Sequence, residues 1–139
     1  MVSPFNLGDD EGLSPSFWEG IGQGEFRVQR CQGCGCARFP PTSFCPDCHA
    51  VEFRWEAASG AATVWSYTVV HRAPTPDLAG EVPYTLVVGQ LREGPLVLAR
   101  LRQLAPGQVR VGRPIVLRFH IDGAGVARYH FVPDPPAGH

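Results

Sequence analysis

Five cysteines are the residues of this 139-residue chain best suited to chemistry, and four of them form two equal pairs. Cys31-Gln-Gly-Cys34 is followed, ten residues later, by Cys45-Pro-Asp-Cys48. A two-residue gap lets both thiolates of a pair reach one ion from a single tight turn. Four soft ligands in a tetrahedron are what a structural zinc takes. Gly33 and Gly35 permit the turn and keep side chains clear of the sulfurs, and Pro46 stiffens the second pair. Cys31, Cys34, Cys45 and Cys48 are therefore expected to hold one structural Zn2+. Iron in a rubredoxin-like site is the rival, because four thiolates suit either metal. A redox dithiol fits less well, since no βαβ pattern surrounds the two pairs. Cys36 stands outside the tetrahedral set and reads as a bystander, and His49 reads as lying outside the metal's shell. With four protein ligands no position is left for a reactive water, so the metal is expected to staple the fold and perform no catalysis.

The remaining residues offer no independent active site. GxSxG, P-loop, GxGxxG and HExxH patterns are absent. His71 closes a predicted strand beside Arg72, whereas His120 and His130 read as barrel-face residues. The carboxylates beyond residue 61 fall in turns or the tail and form no evident acid–base couple, so no catalytic residue is expected. Trp65, Tyr67, Tyr84, Tyr129 and Phe131 offer faces on which bases stack, but charge argues against nucleic acid. The net charge is −1; residues 25–60 balance four Arg against four acids, and residues 61–139 carry eight Arg and five acids. That is a weak field for a phosphate-tracking groove or an anionic membrane. No apolar run approaches the roughly 20 residues of a membrane span. The opening MVSPFNLGDDEG is acidic and broken by Pro and Gly, unlike a signal peptide. A cytoplasmic location is expected, where thiols stay reduced and clustered cysteines favour metal over disulfide.

The elements that position the cysteines follow from patterning. Residues 1–13 read as a flexible arm. A short helix follows: Pro15 suits a first turn, Ser16 and Glu19 have capping-box spacing, and Gly22 and Gly24 stop it. Phe17, Trp18 and Ile21 share one face. So short a helix is unstable alone and must dock on its own domain or on a partner. Alternation in EFRVQR and EFRWE predicts short strands on either side of the two cysteine turns. From residue 61 five strands are predicted, ATVWSYTVVHR, YTLVVGQLR, LVLARLR, PIVLRFHI and ARYHFV, enough for a small closed or nearly closed barrel. Gly89 reads as a bulge or tight bend, and the long gap APTPDLAGEVP as a functional loop. The divisions expected are arm and docking helix 1–24, metal ribbon 25–58, barrel 59–134 and a loose tail 135–139.

Three segments together resemble the DUF35 family: FWEGIGQGEFRVQRCQGCG, RFPPTSFCPDC and GAATVWSYTVVHRAP. The likeness runs from about Phe17 to Phe131; Cys36 departs from the pattern. It implies a mainly β chain with an N-terminal helix, a rubredoxin-like zinc ribbon and a C-terminal five-stranded OB-fold barrel. It also implies a role as a non-catalytic subunit beside a thiolase-like or lipid-transfer-type acyl-CoA enzyme. A retro-aldolase cleaving a steroid side-chain CoA thioester is the leading setting. A bridging subunit of a thiolase–synthase assembly and a stand-alone CoA-binding module are the alternatives. On this reading Phe17, Trp18, Phe39, Pro40, Pro41, His71 and Tyr84 face the partner, and Arg38, Arg54 and Arg72 are candidates to hold acyl-CoA.

Overall fold

The computed structural model describes residues 14–76 and 79–134. The arm 1–13, the tail 135–139, and Asp77 and Leu78 of the long loop lie outside the described residues. Helix α1 spans Ser14–Gly22. Gly24, at φ 79°, adopts the left-handed conformation that ends a helix, and its N–H donates to the Ile21 carbonyl at 3.0 Å. Behind it, Arg27 ties the helix to the next strand. Its guanidinium donates to the Ser16 carbonyl, to Glu25 and to Gln23 at 3.0–3.1 Å. Gly20 makes room for that side chain, since a Cβ there would stand 2.6 Å from Arg27 Cδ.

Strands β1 (Arg27–Cys31), β2 (Ala37–Arg38) and β3 (Phe53–Ala57) form an antiparallel sheet in the order β2-β1-β3. The cysteine turns hang from this sheet, and Cys31 is the last residue of β1. Strands β4 (Ala61–Val70), β5 (Tyr84–Leu91), β6 (Leu96–Leu101), β7 (Pro114–Ile121) and β8 (Ala127–Pro133) then close a barrel in the order β4-β5-β6-β8-β7. The alternation seen in the sequence becomes the two faces of each strand. Val87, Leu91, Val97, Ala99 and Leu101 point inward with their neighbours between them pointing out, and Ile115, Leu117 and Phe131 meet them from the far side. Five strands and a closed barrel are the predicted fold.

The bulge lies on β4, not at Gly89. The register passes from Val64↔Gly89 to Ser66↔Val88, so Trp65 is the extra residue. Gly89 serves packing instead: a Cβ there would lie 2.7 Å from Phe131 Cζ.

Ribbon, helix and barrel meet in one aromatic cluster. Phe17 stands edge-on to Trp18 and Phe26, each at 5.1 Å, and tilted against Phe39 at 5.2 Å. Tyr129 of β8 joins edge-on to Phe26 at 5.1 Å. The apolar face of α1 therefore docks on its own domain. Each buried phenylalanine contributes roughly 1.5–3 kcal/mol of burial, so these rings hold a helix that could not persist alone.

Candidate metal centre

The two cysteine turns are near copies of each other. In the first, the Gly35 N–H donates to the Cys31 carbonyl at 3.0 Å and the Cys31 N–H to the Cys36 carbonyl at 2.9 Å. In the second, His49 N–H donates to the Cys45 carbonyl at 2.8 Å and Cys45 N–H to the Ala50 carbonyl at 2.9 Å. Each turn closes on a left-handed residue, Gly35 at φ 81° and His49 at φ 65°. Cys31 and Cys45 are buried, Cys34 and Cys48 exposed, so each pair offers one inner and one outer sulfur.

The four sulfurs converge. Every ligand atom lies within 4.8 Å of the others, with Cys31 Sγ and Cys48 Sγ 3.5 Å apart and Cys34 Sγ and Cys45 Sγ 3.7 Å apart. Tetrahedral ligands about 2.3 Å from a zinc ion stand about 3.8 Å from one another, so the set fits the ion. Gly33 N–H approaches Cys31 Sγ at 3.3 Å and Cys34 N–H at 3.5 Å. These donors, that of Cys34 first, draw the Cys31 thiol down to about 6, and the N–H groups of Cys48 and Asp47 lower the Cys45 thiol. These contacts favour the thiolate at the two inner sulfurs, whereas the outer Cys34 and Cys48 thiols are raised and share protons with their neighbours; all four would ligate a metal as thiolates. Gly33 is required by space: a Cβ there would meet Ala50 Cβ at 2.8 Å and Cys48 Sγ at 3.0 Å. His49 belongs to the turn by its backbone, and its ring lies 6.3 Å from that of Phe44. Cys36 lies outside the converging set and is exposed.

The other candidates are dispersed. Arg38 is 7% exposed. Its Nε donates to Gln29 Oε1 at 3.0 Å, and its guanidinium lies over the Phe53 ring at 5.3 Å. Gln29, fully buried, also accepts from the Thr42 N–H at 2.8 Å and donates to the Thr42 carbonyl at 3.0 Å. Arg38, expected as a candidate to hold acyl-CoA, is thus a largely buried bracket inside the ribbon. Arg54 is exposed and bonds Glu56 at 3.4 Å. It pairs with Arg30 across β1, whereas Arg38 pairs with Gln29, so the two arginines leave opposite faces of the sheet. Arg72 is exposed on the loop after β4, in the barrel. The three do not form one site. Of the expected partner contacts, Phe17 and Pro41 are buried in this chain's own packing, which removes them from an exposed surface. Trp18, Phe39 and Tyr84 are half-buried, and Pro40 and His71 exposed. Sequence reasoning missed the meeting of His120 and His130, whose Nδ1 atoms lie 2.7 Å apart. The alternation of PIVLRFHI and ARYHFV, set antiparallel, was the available signal.

Comparison with known proteins follows the same two parts. Residues 18–54 match the family model described as the ChsH2 rubredoxin-like zinc ribbon domain, and residues 55–120 that of the ChsH2 C-terminal OB-fold domain. A solved chain of the Ltp2-ChsH2(DUF35) aldolase superposes with a TM-score of 0.78 and 30% identity, over 87% of this chain and 94% of that one. The 3-oxo-4,17-pregnadiene-20-carboxyl-CoA hydratase alpha subunit of Mycobacterium tuberculosis is 30% identical over 94% of this chain and 43% of its own length. A protein named "probable enoyl-CoA hydratase alpha subunit" from Thermomonospora curvata is 36% identical over 73% of this chain. The chain spans only 32% and 43% of the lengths of these two hydratase subunits. A DUF35 domain-containing scaffold protein of Pyrococcus furiosus is 31% identical over 75% of this chain and 79% of its own length.

Proposed function

The chain belongs to the DUF35 family, which joins a zinc ribbon to an OB-fold, and on that basis we propose that it is a non-catalytic accessory subunit of a thiolase-like acyl-CoA enzyme. One observation carries the reading. The solved chain that this protein covers almost completely is part of an Ltp2-ChsH2(DUF35) aldolase. On this reading the reacting acid and base belong to the partner. This subunit stabilises it and shapes the entrance for the CoA thioester, within the cytoplasm. The reaction is the retro-aldol cleavage of a steroid side-chain CoA thioester. Pro40, His71 and the half-buried Trp18, Phe39 and Tyr84 would meet the partner, with Arg54 and Arg72 toward the CoA. The zinc ion does no chemistry here; its four cysteines hold the ribbon in shape.

The likeness to an archaeal DUF35 scaffold protein favours a second reading, a bridge between two acyl-CoA enzymes. Co-purification separates these from each other and from a stand-alone CoA-binding module. The tagged chain, co-expressed with a thiolase-like protein, is expected to elute as a hetero-oligomer that cleaves a β-hydroxyacyl-CoA, with activity lost when either chain is omitted. A complex with two enzymes would instead favour the bridge. Cleavage by the pure chain, or a partner equally active and stable without it, would sink the accessory role.

A further inference from the structure

Arginine gathers on one outer face of the barrel. Arg118 lies opposite His130 and His120 opposite Arg128 across β7 and β8. All four leave the side away from Leu117, Tyr129 and Phe131, which fill the core. Strand β6 joins β8 at Leu101↔Phe131, and the Arg102 N–H donates to the Phe131 carbonyl at 2.9 Å, which sets Arg100 and Arg102 beside the same face. Two of these arginines are neutralised, Arg100 by Glu81 and Arg128 by Asp122. Among the described residues Arg102 and Arg118 have no carboxylate partner. The local field is positive in a chain whose net charge is −1. Burial first, then His120, Arg102 and Arg118, depress the His130 imidazole to about 4.

A cleft opens along this charge. It measures about 280 Å³ and lies between Pro83–Thr85 at the start of β5 and Arg100–Leu104 with Pro106 at the end of β6. Arg100 is already fixed there, bonded to Glu81 and lying over the Tyr84 ring at 4.4 Å. Thr85, 2% exposed, borders it from the inward-facing side of β5. Pro83, Leu104 and Pro106 supply apolar walls. One ordered guanidinium, one with no carboxylate partner and small apolar walls suit an anion carried on a compact organic body. The planar fork of arginine matches phosphate oxygens two at a time.

We propose that this cleft binds a small phosphorylated organic molecule, with Arg102 as the principal contact to its phosphate and Arg100 as a fixed second charge. The prolyl and leucyl walls pack on the organic part. The nucleotide end of a CoA and a free phosphate share this chemistry, and a titration tells them apart. The zinc-loaded full chain is titrated with adenosine 3′,5′-bisphosphate, CoA, adenosine and inorganic phosphate at low and moderate salt. Both nucleotide phosphates are expected to bind, adenosine to fail, and affinity to fall with salt. Arg102→Ala is expected to weaken binding about tenfold or more, the loss of one charge-assisted contact, and Arg102→Glu further, whereas Arg110→Ala on the β6–β7 loop leaves it unchanged. Inorganic phosphate binding as tightly, with the same Arg102 dependence, would overturn the organic part of the assignment and leave an anion site. Unchanged melting temperatures would show that the variants are folded. Failure of every phosphate to bind, or binding indifferent to Arg102→Ala and Arg102→Glu, would overturn the assignment.

Discussion

Phe131 fills the middle of the barrel because Gly89 across from it has no side chain. A methyl group there would press on Phe131 Cζ at 2.7 Å and on Ile115 Cδ1 at 3.2 Å, and both residues are fully buried. Gly89→Ala is therefore expected to destabilise the chain by about 1–3 kcal/mol. A lower denaturant midpoint with unchanged metal content would show it; unaltered stability would mean the barrel interior can yield. Arg38 carries a different lesson at this scale. Inside the ribbon its Nε donates to Gln29 and its Nη2 to the Thr42 carbonyl, and its guanidinium lies over Phe53, while the buried Nη1 has no partner. A basic residue in a sequence is a candidate ligand for anions only until its burial is known.

At the scale of elements, the ribbon is three short strands and two turns with little apolar core of their own. Its inner edge leans on the aromatic cluster, and its outer end has the four cysteines. Without metal, four thiols crowd where one ion belongs, and the free energy of metal binding is folding free energy for such a unit. Purified protein is expected to contain one zinc per chain. In that form Cys36 alone should react readily with a thiol reagent, because the exposed Cys34 and Cys48 are held by the metal. Chelation should lower the melting temperature and release all five thiols to the reagent. Fast reaction of three thiols in the metal-loaded protein would show that the two outer cysteines are not ligands. Helix α1 belongs to the same unit: Phe17 and Ile21 lock it to the joint between ribbon and barrel, which leaves Trp18 half-exposed beside Tyr129.

Over the whole molecule, charge is sorted although the total is nearly neutral. The ribbon's pairs, Arg30 with Glu56 and Arg27 with Glu25, balance locally. The outer face of β6, β8 and β7 retains a positive excess around His120 and His130. The fold favours the neutral His130 imidazole. Its contribution to stability is therefore complete above the ordinary pKa near 6.5 and is lost as the pH falls towards 4. A proton NMR titration should find the His130 ring titrating near pH 4, well below the ordinary histidine range. An unshifted His130 would mean that solvent reaches the ring despite its burial, and would remove the expected loss of stability between those values.

What the sequence determined by itself was whatever depends on neighbours in the chain. A CxxC turn is local, so its geometry follows from two-residue spacing and the glycines beside it, and the metal ligands were readable at once. Alternation along a strand is local too, so the five barrel strands and their inward residues could be marked in advance. Only the tertiary structure decided what depends on which strands lie side by side. Gly89 meets Phe131, His120 meets His130, and Arg100 and Arg102 line a cleft with Pro83 and Tyr84, because barrel closure brings β5, β6, β8 and β7 together. Those meetings span from ten to more than forty residues of chain. Their register is set by the packing of the whole core, which no short window of sequence contains.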